Sequence, residues 1–176
     1  VAIFFIDVDD FKSINDTYGH DVGDSILLET AKRLTASVRE SDTVSRWAGD
    51  EFSVLLPKIG KKENINQLLA RIIENFATPQ KAQGFTIPVS ISIGISLAPK
   101  MGTDFDELMR FADKAMYESK RNDGIQALGI MTPSGDHYKI AKEFIEKGIH
   151  IICDKPLTAT VEDAVKLKKV ILKNKI

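Results

Sequence analysis

Residues 43–57, TVSRWAGDEFSVLLP, decide the fold of the first part of the sequence, because they place two apolar runs on either side of a short turn. The turn, AGDE, contains Gly and Asp, which are common turn formers. β-Branched and aromatic residues on both sides favour strands. This stretch therefore predicts a β-hairpin whose turn carries two carboxylates, Asp50 and Glu51.

The segments around this hairpin predict alternating strands and helices. Residues 1–8, VAIFFIDV, are almost continuously apolar, as in a central strand covered on both faces. Apolar residues at helical spacing predict helices from about Gly23–Asp24 to Val38, over 65–76 and over 108–116. Residues 87–97 alternate apolar with small polar residues and predict a strand buried on one face. The order is that of an α/β sandwich with a mostly antiparallel sheet, close to a ferredoxin-like arrangement.

The last fifty residues follow a different pattern. A strand over 125–131, a TPSGD turn, a helix ending at Gly148, a strand over 149–153 and a helix over 161–174 form a βαβα unit. Such a unit implies a parallel strand pair joined by a right-handed crossover. We place a domain boundary near Gly124, with a partial Rossmann-like segment over 125–176.

The composition limits the classes of partner. The 176 residues are 43% hydrophobic and 28% charged, which is typical of a packed globular protein. A net charge of −1 gives no general attraction for nucleic acid or an anionic membrane. The sequence contains no apolar run near the roughly 18 residues of a membrane span, and its single cysteine, Cys153, fits a reducing compartment. We expect a cytoplasmic chain without nucleic-acid or membrane partners.

Three carboxylates, those of Asp7, Asp50 and Glu51, suggest a metal site. Asp7 ends the first strand, and if the hairpin lies beside that strand, Asp7 and Asp50 meet at one sheet edge. Carboxylate oxygens are the hard ligands that Mg²⁺ prefers. The alternative is a solvated acidic turn. The stretch DVDDFKSINDTYGHDVGD, residues 7–24, places many polar groups and two glycines next to a buried strand, which favours a ligand site.

Four separated segments carry a family resemblance. They are FFIDVDDFKSINDTYGHDVGD, RESDTVSRWAGDEFSVLLP, VSISIGIS and FADKAMYESKRN. In this order and spacing, residues 1–124 resemble the GGDEF domain of diguanylate cyclases. The resemblance implies a nucleotidyl-cyclase sandwich that condenses two GTP molecules into cyclic di-GMP and releases two pyrophosphates. It also implies a head-to-tail homodimer in which each ribose 3′-hydroxyl attacks the other nucleotide's α-phosphate.

The resemblance assigns roles by motif position. Asp7, Asp50 and the Val8 carbonyl would bind Mg²⁺, and Glu51 would assist metal binding or deprotonate the hydroxyl, so that Asp50 and Glu51 are the catalytic pair. The implied substrate-binding residues are Lys12 and Lys120 for the phosphates, Asn15 and Asp24 for the guanine edge, and Gly49. The alternatives are a loop hydrogen bond for Asn15, a helix cap for Asp24 and solvated surface charges for the lysines.

RESD, residues 39–42, matches the position of the family's inhibitory RxxD site. The resemblance implies that Arg39 and Asp42 bind the product and restrain the enzyme. The alternative is an ordinary Arg–Asp pair on a helix surface.

Three departures from the family pattern motivate a second hypothesis. Ala48 stands at the first glycine of the signature; if φ is positive there, the methyl group costs about 1 kcal/mol or more, and otherwise its effect is mainly steric, against the nucleotide. Gly124 stands where an arginine is expected, and the usual helix before the first strand is missing. The second hypothesis is a degenerate domain that binds GTP or cyclic di-GMP without turnover.

The tail resembles another family. It resembles the Gfo/Idh/MocA-type NAD(P)-dependent oxidoreductases in Thr132-Pro133, His137 and the segment CDKP. Lys155 matches the lysine of that family's EKP motif, and Asp154 replaces the usual Glu. The sequence contains no GxGxxG after a strand, so the pyrophosphate of a dinucleotide has no glycine turn to bind. A structural tail or fusion remnant of a chimeric chain is therefore favoured over an oxidoreductase fragment. In that interpretation His137 and Lys155 lie on the surface.

Overall fold

The structure, a computed structural model, describes residues 1–58, 63–99, 101–120, 127–130, 134–146, 150–153 and 156–174. The strands are β1 (Ala2–Val8), β2 (Thr43–Ala48), β3 (Glu51–Leu56), β4 (Gln80–Ala82), β5 (Phe85–Ile87), β6 (Ile91–Leu97), β7 (Ala127–Ile130) and β8 (His150–Cys153). The helices are α1 (Phe11–Tyr18), α2 (His20–Ser37), α3 (Glu63–Ala77), α4 (Phe105–Lys120), α5 (Ser134–Ile145) and α6 (Val161–Asn174). The described helices include none with the length and apolar character needed to cross a bilayer.

The chain divides into two compact units, and β1 contributes residues to both. The first unit holds Val1 and Ile6–Ile91, with the strand order β2-β3-β1. The predicted hairpin is confirmed, since β2 and β3 pair in antiparallel fashion. All seven residues of β1 are buried, which confirms the prediction of a central strand.

The second unit holds Ala2–Phe5 and Ser92–Ile176, with the strand order β1-β6-β7-β8. β7 pairs with β8 in parallel, as the βαβα pattern predicts, and β7 also pairs in parallel with β6. Helix α4 packs against β7, and α5 packs against β7, β8 and α6. The predicted domain boundary near Gly124 lies outside the described residues and stays a prediction.

The prediction for residues 87–97 is wrong in two respects. The strand is divided, because β5 ends at Ile87 and β6 begins at Ile91. In addition, β6 is buried on both faces from Ser92 to Ser96. The reason is Gly94, where a Cβ atom would meet the backbone of Ala112 and Met116 in α4. The small residues of this strand allow a helix to approach closely; they do not face solvent.

The predicted start of the first long helix is also wrong. Helix α2 begins at His20, and a separate helix, α1, precedes it. Gly19, with φ of 91°, separates the two, because this left-handed conformation interrupts a helix and favours glycine. Ile14 is the buried residue of α1, so this short helix carries almost no apolar periodicity. The β4–β5 hairpin was likewise not predicted.

Arg33 of α2 fixes the end of α3. Its Nη1 donates hydrogen bonds to the carbonyl oxygens of Asn75, at 2.7 Å, and Thr78, while Nη2 donates to the Pro79 carbonyl at 3.1 Å. The last carbonyls of a helix have no partner within the helix itself. The guanidinium supplies that partner and ties α3 to α2.

In the tail, the prediction that His137 lies on the surface is wrong. His137 is 1% exposed, and its Nδ1 lies 2.8 Å from the carbonyl oxygen of Pro156. A buried imidazole needs a hydrogen-bond partner, and the chain after β8 provides one. Thr132, Pro133, Asp154 and Lys155 lie outside the described residues.

Candidate functional site

The candidate site lies where β1 ends beside the β2–β3 turn. The N–H of Val8 donates a hydrogen bond to the carbonyl oxygen of Asp50 at 3.2 Å. Asp7, the preceding residue, is 4% exposed, whereas Asp50 is half-buried in the turn. The backbone therefore brings the end of the buried strand and the acidic turn together, as the hypothesis of a shared sheet edge requires.

The turn itself is a two-residue loop. Ala48 pairs with Glu51, which leaves Gly49 and Asp50 as the loop residues. Gly49 has φ of 52°. Among the described residues other than glycine, positive φ occurs at Asp10 and Gln83, so φ is not positive at Ala48. Positive φ at the first loop residue alone matches a type II′ hairpin turn. Ala48 therefore costs no left-handed backbone strain, and the conformational requirement falls on Gly49.

Helix α1 begins directly after β1. Asp10, in the left-handed conformation with φ of 53°, turns the chain from the strand into the helix, and its side chain makes no cap hydrogen bond among the described residues. The N–H groups of a first helical turn favour an anion. Lys12 is exposed in this first turn, so the start of α1 is suited to a phosphate group.

Asn15 and Asp24 lie close to the junction of α1 and α2. The side chain of Asn15 lies directly against Gly23, since a Cβ atom on that glycine would meet Oδ1 of Asn15. Asp24 follows Gly23 and is exposed. The N–H of Gly19 donates to the Asn15 carbonyl at 2.9 Å, which ends α1. The structure thus places Asn15 against the residue that precedes Asp24, so the two residues that the resemblance assigns to the guanine edge are near neighbours.

An open groove of about 390 Å³ runs along α2 from Asp24. Its size falls within the roughly 300–1,000 Å³ of small-molecule sites. The groove is lined by Asp24, Leu27, Leu28, Ala31, Thr35, Val44, Arg46 and Phe52. Arg46, whose Nε donates to the Gly49 carbonyl at 2.8 Å, was not assigned from the sequence. Its position at the start of RWAGDEF was the feature of the sequence that could have identified it as a site residue.

The donor set fits Mg²⁺ shared with phosphates. The described residues hold no group of three or more His, Cys, Asp or Glu side chains that could bind a metal ion. Two carboxylates and one carbonyl, those of Asp7, Asp50 and Val8, are all oxygen donors. Mg²⁺ characteristically takes one or two protein carboxylates and completes its shell with water and substrate phosphates.

Arg39 and Asp42 form a turn after α2. The N–H of Arg39 donates to Oδ2 of Asp42 at 3.0 Å, and the N–H of Asp42 donates to the Arg39 carbonyl at 2.9 Å. Because α2 ends at Ser37, the alternative of a helix-surface pair is wrong. Both residues line a groove with Lys58 and Arg71, so three cations face one carboxylate there, which favours an anionic ligand. Lys120 ends α4, and its side chain lies outside the described part of the chain.

Two family models match the sequence. The model of the diguanylate cyclase GGDEF domain matches residues 1–126, and that of an oxidoreductase family with an NAD-binding Rossmann fold matches residues 79–175. The signalling protein YkoW of Bacillus subtilis is 45% identical over 120 residues, which are 68% of this chain and 15% of YkoW. Diguanylate cyclase TpbB of Pseudomonas aeruginosa is 40% identical over 122 residues, 69% of this chain and 28% of TpbB.

Solved structures agree with the first of these models. The crystal structure of the TpbB GGDEF domain has a TM-score of 0.66 at 40% identity and covers 68% of this chain and 75% of that domain. The structure of the coiled coil and GGDEF domain of DgcB from Caulobacter crescentus, in complex with cyclic di-GMP, has a TM-score of 0.61 at 25% identity and covers 69% of this chain and 65% of that crystallised chain. The matched part of the chain spans only 15% of the length of YkoW and 28% of that of TpbB. By its sequence, its fold and the strand end beside its acidic turn, this chain belongs to the GGDEF family.

Proposed function

We propose that residues 1–124 form a Mg²⁺-dependent diguanylate cyclase domain, which condenses two GTP molecules into cyclic di-GMP and releases two pyrophosphates. The observation that carries the proposal is the hydrogen bond from the Val8 N–H to the Asp50 carbonyl, because it brings the buried strand end and the acidic turn together. The relative TpbB is named a diguanylate cyclase, and DgcB is solved with cyclic di-GMP bound.

Asp7, Asp50 and the Val8 carbonyl would hold the metal. Two carboxylates near one another repel, and burial of Asp7 strengthens that repulsion. Mg²⁺ held by these residues would relieve this repulsion and would supply positive charge to neutralise the phosphates.

The α1–α2 junction would hold the base. The Asp24 carboxylate would accept hydrogen bonds from the guanine ring N–H and exocyclic amine, with Asn15, which lies against the neighbouring Gly23, as its partner. The apolar side chains that line the groove would cover the ring. Lys12, Lys120 and the start of α1 would neutralise the phosphates. The glycine at position 49 leaves the turn backbone open to the nucleotide, since nothing lies within 4 Å of the place its Cβ would take.

Glu51 would accept the proton of the ribose 3′-hydroxyl. The hydroxyl oxygen then attacks the α-phosphorus of the GTP held by a second copy, a P–O bond forms, and pyrophosphate leaves with the electrons of the broken P–O bond. One copy holds one GTP, so two copies must meet head to tail. Such positioning of two bound reactants is a large part of the rate gain.

The Arg39–Asp42 groove would bind the product as a regulatory site. The cations Arg39, Lys58 and Arg71 complement the two phosphates of cyclic di-GMP. Arg39→Ala should raise the inhibition constant of cyclic di-GMP at least about tenfold, since it removes a charge-assisted hydrogen-bond donor. An unchanged inhibition constant would show that product restrains the enzyme elsewhere.

The test is product formation from GTP and Mg²⁺, followed by chromatography and mass spectrometry. We expect cyclic di-GMP, an initial rate that rises with the square of protein concentration, and a loss of about 100-fold or more in Asp50→Asn or after chelation of the metal. If no product forms at high protein concentration, and Asp50→Ala binds GTP as the wild type does, the catalytic proposal fails. The domain is then a GTP or cyclic di-GMP binding module.

For residues 125–176 we propose a structural role. The observation that favours it is the parallel pairing of β7 with β6, which makes the tail part of the second unit's sheet. The second family model names an NAD-binding fold, yet the sequence has no GxGxxG turn for a pyrophosphate. Titration with NADH, followed by its fluorescence, should show no saturable binding; a saturable change would restore the oxidoreductase hypothesis.

A further inference from the structure

The β4–β5 hairpin contacts both helices of the junction that carries Asn15 and Asp24. The ring of Phe85 packs on that of Tyr18 at the end of α1, with centroids 5.2 Å apart and an interplanar angle of 57°. The Nε2 of Gln83 donates a hydrogen bond to Oγ of Ser25 in α2 at 3.2 Å. Tyr18 lies one turn after Asn15, and Ser25 follows Asp24 directly. One hairpin therefore contacts each helix next to a base-site residue.

The base of this hairpin is buried. Gln80 pairs with Ile87, and both are buried, as is Ala82. The Nε2 of Gln80 donates to Oγ1 of Thr30 in α2 at 3.2 Å, so the hairpin is joined to the same helix below its tip. Gln83 and Phe85 therefore project from a fixed support.

The tip has an unusual backbone. Gln83 has φ of 48° and Gly84 has φ of 86°, the two positive values of a type I′ turn. Glutamine is not a residue that tolerates this conformation well, because the left-handed region brings Cβ close to the following carbonyl oxygen. Residues held in such a strained backbone conformation often have a functional role. Here the side chain holds α2 beside Asp24.

The two base-site residues depend on a fixed spacing between α1 and α2. The Asn15 side chain rests on Gly23, and Asp24 is the next residue. Movement of α1 relative to α2 would separate the amide from the carboxylate. A displacement of about 1 Å can cost 100-fold where groups must meet a ligand together.

We propose that the β4–β5 hairpin is a positioning element for purine recognition, with Gln83 and Phe85 as positioning residues that set the spacing of Asn15 and Asp24. This inference rests on the proposed nucleotide site, and not on its turnover. The class of ligand it serves is a guanine nucleotide, distinguished from adenine and hypoxanthine nucleotides by its 2-amino group.

The experiment compares GDP with IDP, which lacks only that amine, by calorimetric titration in the presence of Mg²⁺. Neither diphosphate can be condensed, so binding is measured without reaction. The variants are Gln83→Gly, which removes the side chain and the backbone strain together, and Phe85→Ala. Lys81→Ala, at an exposed position of the same hairpin, is the matched control.

We expect the wild type to bind GDP about tenfold more tightly than IDP, as for one hydrogen-bonded amine. In Gln83→Gly and Phe85→Ala this ratio should fall towards one, through weaker GDP binding, while Lys81→Ala keeps it. Gln83→Gly should not lower the thermal unfolding midpoint, which separates positioning from stability. In the active enzyme the KM for GTP should rise in both variants with kcat little changed.

An unchanged ratio in both variants, a wild type without preference for GDP, or an equal loss in Lys81→Ala would each overturn the inference. Its failure is distinct from that of the cyclase proposal. A protein that makes cyclic di-GMP but keeps its GDP preference in both variants loses the inference alone. A protein that makes no product, yet loses the preference in both variants, loses the cyclase proposal alone.

Discussion

The N–H of Val8 and the carbonyl oxygen of Asp50 are joined by a hydrogen bond of 3.2 Å. Both partners are backbone groups, so the spacing between the strand end and the turn does not depend on the side chains of Asp7 or Asp50. Conservative substitutions of these two residues should therefore change the chemistry of the site more than its architecture.

Asp7→Asn keeps the size of a buried side chain and removes its charge. We expect GTP binding to lose its dependence on Mg²⁺, because one of the two carboxylates of the proposed metal site is neutral. The measurement is the Kd for GTP with and without Mg²⁺, by calorimetry. Asp16→Asn, at an exposed position of α1, is the control and should behave as the wild type. Retention of the full Mg²⁺ effect in Asp7→Asn would contradict the assignment.

Exchange of alanine and glycine should cost much more stability at Gly49 than at Ala48. Gly49→Ala introduces a Cβ at φ of 52° and should destabilise the fold by about 1 kcal/mol or more, which lowers the Tm by roughly 2–4 °C. Ala48→Gly relieves no strain and should leave the Tm unchanged or slightly lower. Thermal unfolding followed by circular dichroism distinguishes the two. Equal losses would mean that the turn is not defined by Gly49.

Gly23→Ala should weaken guanine nucleotide binding without unfolding the chain. The new methyl group meets Oδ1 of Asn15 and must displace that side chain, although alanine is the better helix former. We expect the Kd for GDP to rise about tenfold, as for the loss of one hydrogen bond. Gly135→Ala in α5, where nothing lies within 4 Å of the added atom, is the control. It should leave GDP binding unchanged; an unaltered Kd in Gly23→Ala would remove Asn15 from the site.

Arg33→Ala should destabilise the first unit by about 2 kcal/mol, because it leaves the Asn75 carbonyl in the last turn of α3, and the Pro79 carbonyl just after that helix, without their charged donor. Urea unfolding gives the free energy directly. Arg110→Ala is a suitable comparison, since its exposed guanidinium lies 5.9 Å from the Phe111 ring centroid and should contribute less than about 1 kcal/mol. A loss no larger in Arg33→Ala than in Arg110→Ala would show that water replaces the guanidinium at little cost.

Long apolar patterns in the sequence predicted the main elements of the fold. The apolar run over residues 1–8 predicted a buried central strand, and the two runs around AGDE predicted a hairpin. Helix α1 was missed because a helix with one buried residue has no periodic signal. The second buried face of β6 was missed because Ser and Gly at alternate positions suit solvent and a closely packed helix equally well.

The features of the candidate site also differ in whether the sequence could predict them. From the sequence, Asp7 and Asp50 could be paired only on the condition that the hairpin lies beside the first strand, and the strand order β2-β3-β1 meets that condition. The groove could not be predicted from the sequence, because Arg46 and the α2 residues that line it come together only through long-range packing. The buried His137 has its hydrogen-bond partner, the Pro156 carbonyl, nineteen residues later, and no local pattern encodes that pairing.

The dihedral angles of the turn have a consequence for how related sequences are sorted into active and inactive copies. The two small positions of the signature are treated alike when a motif is compared letter by letter, but in this hairpin they are not equivalent. One is an ordinary strand residue, and the other has a backbone that penalises any side chain. Surveys that discard copies with alanine at the first position would exclude proteins whose turn is intact, whereas alanine at the second position is the better mark of decay.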